Sequence, residues 1–144
     1  MTRQLIVPLP EDAPIPHESI PAEPVGVDQW RVLAAPFVTY DVCRGDVVRV
    51  STDPAGEPTF VEIVNASGAH TVRLLLAKDL DLMGRMAVMM ALKERGLVGE
   101  EPKGRYYSLT LPAEADLESA LEVLESQAGD GAHEFEVFSS SGTA

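Results

Sequence analysis

The stretch TVRLLLAKDLDLMGRMAVMMALKERG, residues 71–96, changes hydrophobic period part-way along, and that change decides how the rest of the chain is read. Its first six residues read as a strand, with Arg73 set among apolar neighbours. Asp79 and Asp81 then form an acidic pair of the kind that opens a helix. Leu82, Met86, Met89, Met90 and Lys93 follow at helical spacing, and Gly96 closes the segment. The reading is a strand followed by an amphipathic helix. A methionine face at this spacing is expected to pack on the protein's own sheet. Met83 and Met90, seven residues apart, flank that stripe and are candidates for a homodimer contact, because the thioether chain adapts to varied surfaces.

Downstream, the alternation resumes. A short strand near LVGE leads through a Pro102-Lys103-Gly104 turn into RYYSLTL, whose Tyr107, Leu109 and Leu111 share one face. Asp116 then opens a second helix, with Leu117, Leu121, Leu124 and Ala128 along one side. Gly129-Asp130-Gly131 stops it before the strand HEFEVF. The order is βαββαβ. That order predicts a ferredoxin-like half, with two helices on one face of a four-stranded antiparallel sheet.

Upstream, RQLIVPLP, ESIPAEP, DQWRVLA, DVVRVSTD and TFVEIVNA are runs of strand length bounded by proline and glycine. They predict a small β meander or barrel. Arg44-Gly45-Asp46 and Pro54-Ala55-Gly56 supply turns, and the alternation in Val47–Val50 and Phe60–Val64 suggests strands buried on most of both faces. An alternative for the proline-rich stretch between Glu11 and His17 is disorder, since proline cannot donate to a sheet ladder. The fold class expected is α+β. Residues 1–66 form a β-rich subdomain, residues 67–140 a ferredoxin-like one, and residues 141–144 a disordered tail.

Composition narrows the chemistry. A chain of 144 residues with 45% hydrophobic content is long enough to bury a core unaided. The lone Cys43 excludes an internal disulfide framework. No early segment joins a basic start to an apolar run and a small-residue cleavage site, so the expected compartment is the cytoplasm. No apolar run approaches the roughly 20 residues that cross a bilayer, and no membrane association is expected. The formal charge of −12 is uneven. From Leu111 onward there is no lysine or arginine, while Glu114, Asp116, Glu118, Glu122, Glu125, Asp130, Glu134 and Glu136 are all acidic. That balance argues against direct phosphate neutralisation, and nucleic acid is not an expected partner.

ESIPAEPVG, Pro36-Phe37, GDVVRV at Gly45–Val50, TFVEIV and SGAHTVR occur in this order. Together they resemble a bacterial family of unknown function, domain-of-unknown-function family 4265, over about residues 3–138. The sequence departs from that pattern at Ile20 and Pro21, where an aromatic is usual, and at Ala69, which separates Gly68 from His70. The resemblance implies a two-part bacterial protein with no assigned activity and adds no catalytic residue.

Residues 65–76, NASGAHTVRLLL, hold the nearest approach to a catalytic kit. Ser67 and His70 stand three residues apart, and Asp46 or Asp41 could complete a triad, yet no activating elbow surrounds the serine. The plainer reading is a turn in which Asn65 and Ser67 bond backbone amides. Asn65-Ala66-Ser67 as a glycosylation acceptor has no meaning in a cytoplasmic chain. The same holds for Arg44-Gly45-Asp46 as an integrin ligand. His17, His70, His133 and Cys43 have no chelating spacing, so no metal is expected. The glycines form no phosphate cradle, so no cofactor is expected either. Cys43 sits beside Arg44, which would lower a thiol pKa, but an inert cysteine is the simpler expectation.

Two features remain. Arg73 could pair with Asp46 or Glu62 and clamp the halves together, or it could hold an anion. Glu114, Glu118 and Glu122 recur every four residues, which stacks like charges along a helix at a cost of about 0.2–0.5 kcal/mol per pair. Solubility is one use of such a face, and electrostatic attraction of a basic protein is another. The expected function is a non-enzymatic binding or regulatory module that uses the acidic helix or the cleft between its halves. The alternative is a small hydrolase-like enzyme or ligand sensor, with its site at Ser67, His70 and Arg73.

Overall fold

Prolines and glycines cut the first half of the chain into short extended segments, five of which close into a barrel. The computed structural model describes residues 2–99, 102–128 and 134–140. Around the barrel, in chain order, run β1 (Arg3–Pro8), β2 (His17–Gly26), β3 (Gln29–Val32), β4 (Val47–Thr52) and β5 (Pro58–Asn65). Successive strands are antiparallel, and a parallel bridge from Ile6 to Thr59 closes the ring. Closure leaves no free sheet edge to pair with another chain.

The proline-rich stretch forms a hydrogen-bonded connection. β1 and β2 pair continuously from Arg3↔Ala22 to Pro8↔His17. Between them the Leu9 amide donates to the Pro16 carbonyl at 3.0 Å and that of Ala13 to the Pro10 carbonyl at 2.9 Å. The alternative of disorder between Glu11 and His17 does not hold.

One face of each strand fills the barrel: Leu5 and Val7, Ile20 and Ala22, Val32, and Val48 and Val50 are buried together with Val42. Trp30, Phe60 and Ile63 pack against them. Burial on both faces does not hold for β5, where Val61 and Val64 are exposed. Both are skipped where the register with β4 shifts, between Val50↔Phe60 and Arg49↔Glu62 and between Val48↔Ile63 and Val47↔Asn65, and such bulges break the simple alternation.

The second compact unit, His70–Phe138, has its own core; the first comprises the chain up to Ala69 together with Ser139 and Ser140. The second unit contains β6 (His70–Leu75), α1 (Leu82–Glu94), β7 (Val98–Gly99), β8 (Tyr106–Leu111), α2 (Leu117–Ala128) and β9 (Glu134–Phe138). The sheet order is β7-β8-β6-β9, with every neighbouring pair antiparallel. Val72, Leu74, Leu76, Leu109 and Leu111 bury one sheet face beneath Val88 and Leu92 of α1 and Ala120 and Leu124 of α2. The described residues are mostly sheet, with two helices.

Both helix starts follow the expected chemistry. Asp81 caps α1, its Oδ1 accepting from the Gly84 amide at 2.7 Å. Asp116 accepts from the Ser119 amide at 3.3 Å ahead of α2. The expected stop at Gly129-Asp130-Gly131 and the tail at 141–144 lie outside the described residues. No described helix is long and apolar enough to cross a membrane.

The core face of α1 is not the one that the methionine spacing suggests. Val88 and Leu92 are buried, and Met89 is partly buried. Leu82, Met83, Met86 and Met90 are 71%, 80%, 55% and 60% exposed. The helix carries apolar residues around most of its circumference, and periodicity alone does not choose between two apolar faces. The branched pair Val88 and Leu92, one turn apart, takes the sheet side with Leu80 and Leu97 beyond the helix ends.

Candidate functional site

Ser67 lies in the segment after β5, and its polar groups are committed to backbone architecture. Its hydroxyl donates to the Arg44 carbonyl at 2.9 Å and accepts from the Ala69 amide at 3.2 Å. Its amide donates to Asp46 Oδ1 at 2.8 Å. Asp46 is fully buried, and its Oδ2 accepts from the Cys43 amide at 2.8 Å and the Ser140 hydroxyl at 2.6 Å. Gly45 makes this approach possible. Its φ of +90° disfavours side chains, and a Cβ there would stand 3.0 Å from Ser67 Cβ. The predicted turn is therefore a buried carboxylate node. A serine whose proton goes to a main-chain carbonyl has no base to activate it.

His70 and Arg73 belong to β6 and project to opposite faces of their sheet, as residues three apart on a strand must. His70, half-buried, opens the strand opposite Leu111. Arg73 is 3% exposed and stands directly across from Glu136. Its Nη1 lies 3.4 Å from Glu136 Oε1, and its guanidinium carbon is 4.6 Å from the centre of the Phe138 ring. Cross-strand pairing with Glu136 and the cation–π contact with Phe138 both engage Arg73. Both carboxylates named as candidates for it also have contacts elsewhere. Asp46 accepts the donors above, and Glu62 pairs with Arg49. Arg73 also borders a depression of about 230 Å³ lined by Leu75, Tyr106, Glu134, Phe135 and Glu136. An anion entering it would meet two carboxylates as well as one guanidinium.

The acidic face of α2 is shorter at one end than the sequence spacing implies and longer at the other. Glu114 precedes the helix, in the turn where the Ala115 amide donates to the Pro112 carbonyl. Glu118 and Glu122 stand one turn apart and both are exposed. Exposed Glu125 continues the row three residues on. None of these three forms an ion pair among the described residues. Glu118 in the first turn is favoured by the helix dipole. Glu125 near the other end is opposed by it, and the last turn holds no basic residue.

One polar group was not singled out by sequence reasoning. Glu18 on β2 is 8% exposed, and its carboxylate accepts the successive amides of Phe37, Val38 and Thr39 at 2.6, 3.1 and 2.8 Å. Three consecutive amides converging on one anion make a backbone nest, here filled by the protein's own side chain. The partners are about 20 residues away in the chain, so spacing carries no signal of it. Cys43 is fully buried. Among the described residues no group of three or more His, Cys, Asp or Glu is placed to hold a metal. His133 lies outside them.

Comparison with known proteins adds family and fold. A family model described as a domain of unknown function, DUF4265, matches residues 18–135. No curated protein matches the sequence. The structure is similar to the crystal structure of a hypothetical protein from Neisseria gonorrhoeae, with a TM-score of 0.79 over 94% of this chain and 93% of that one. At 14% identity the likeness concerns fold alone.

Proposed function

Since the chain belongs to the DUF4265 family of unknown function, we propose that it is a non-enzymatic binding or regulatory module of a bacterial cytoplasm. Its acidic α2 face takes a basic protein partner. Its second unit is a ferredoxin-like module, a reading supported by the order βαββαβ and the strand neighbours β7-β8-β6-β9. The observation that carries the functional reading is the row Glu118, Glu122 and Glu125, exposed and without ion pairs among the described residues. Like charges one turn apart cost helix stability, and the charge at the C-terminal end opposes the dipole as well. A helix needed only for packing does not require that arrangement. A negative stripe attracts a positive surface, speeds encounter and weakens with salt.

The binding reading is preferred to the hydrolase-like alternative because the Ser67 hydroxyl donates to the Arg44 carbonyl. Capture of partners from the native cytoplasm at low and high salt tests the binding reading. A basic protein retained only at low salt supports it. Retention that ignores salt and the three glutamates refutes it.

A further inference from the structure

We infer that the solvent face of α1 is a self-association surface, on which a second copy of this chain packs antiparallel about a twofold axis at Met86. This inference does not depend on the acidic-face reading, which concerns α2. At about 100° per residue, Leu82, Met86, Met90 and Met83 fall in one arc directly opposite the buried Val88 and Leu92. All four are more than half exposed. A soluble helix normally fills that position with charge, so a continuous apolar stripe there marks a contact.

The order of residues along the stripe selects the occupant. A twofold contact must be self-complementary. Rotation about Met86 sets Leu82 beside Met90 of the second copy and Met86 against its own counterpart. The charges at the two ends then match. Exposed Asp79, before the helix, reaches exposed Lys93 of the other copy, and the converse pair repeats at the far end. Opposed helix dipoles favour the same antiparallel sense. A parallel pairing would set Asp79 on Asp79 and Lys93 on Lys93. A different protein would need no such symmetry in the charges.

The 13-residue helix is about 20 Å long, so the contact is small for a protein interface. The dimer therefore dissociates in the micromolar range, and the net charge of −12 on each copy adds repulsion that salt relieves. Sedimentation equilibrium on the full chain at physiological salt, over roughly 1–300 µM, reads the association directly. The expected result is a monomer–dimer equilibrium. Met86→Glu places two carboxylates on the axis and raises the dissociation constant more than about tenfold, while Met86→Leu leaves it within about twofold. Asp79→Lys and Lys93→Asp each weaken association, and the double variant restores it. Because all of these sites are exposed, unchanged circular dichroism melts separate loss of association from loss of fold. A wild-type chain monomeric throughout the range overturns the inference and leaves the stripe to another protein. Dimerisation unaffected by Met86→Glu, or a double variant that fails to recover, overturns it equally.

Discussion

Ser67 and Asp46, 21 residues apart, are joined amide to carboxylate at 2.8 Å, and that bond converts a set of catalytic residue types into a piece of scaffold. Asp46 serves three donors from three separated segments: Cys43, Ser67 and Ser140. Removing it takes one acceptor from each of the three. Asp46→Ala should lower stability by about 2–4 kcal/mol, read as a fall in the urea midpoint. An unchanged midpoint would mean that the node is dispensable.

Ser67→Ala removes one hydroxyl that both donates and accepts, at a cost of about 1–2 kcal/mol. A fluorophosphonate probe should leave the wild-type chain unlabelled, because the serine lacks an activating base. Stoichiometric labelling at Ser67 would restore the enzyme alternative.

Arg73 and Glu136 should respond unequally to substitution. Glu136 has a side chain 44% exposed, so water can replace its partner, and Glu136→Gln should cost less than about 1 kcal/mol. Arg73 is buried against Phe138, and Arg73→Ala should cost about 2–4 kcal/mol. Thermal melts of both variants check the ordering. Equal effects would show that the ion pair, and not the burial of the guanidinium, carries the stabilisation.

Stability and binding should move in opposite directions on α2. Glu122→Lys turns a repulsive pair with Glu118 into an attractive one, and should stabilise the helix by about 0.5 kcal/mol at low salt. The same change should weaken partner binding. If the acidic row serves only solubility, the stabilised variant will bind as the parent does.

Much of the architecture was legible because its signals are local. Turn residues bounded the strands, and Asp81 and Asp116 announced the helices that they cap. What could not be read depends on partners distant in the chain. Val88 and Leu92 win the core side of α1 only because Leu74, Leu109 and Leu124 lie beneath them, which no period within residues 82–94 discloses. Val61 and Val64 look like core until the pairing with β4 skips them and leaves them outside. The Glu18 and Asp46 nodes are invisible for the same reason. In the acidic row, spacing by four included Glu114, which precedes the helix, and passed over Glu125, which the helical offset of three places beside Glu122.

The account stands or falls on whether the α2 glutamates recruit a partner. The most direct measurement is quantitative capture from native extract on the wild-type chain and on Glu118→Gln/Glu122→Gln/Glu125→Gln, each at low and high salt. The account predicts a basic protein retained by the wild type at low salt, released at high salt, and lost from the triple variant under both conditions. The same protein retained equally by wild type and variant at both salts would contradict it.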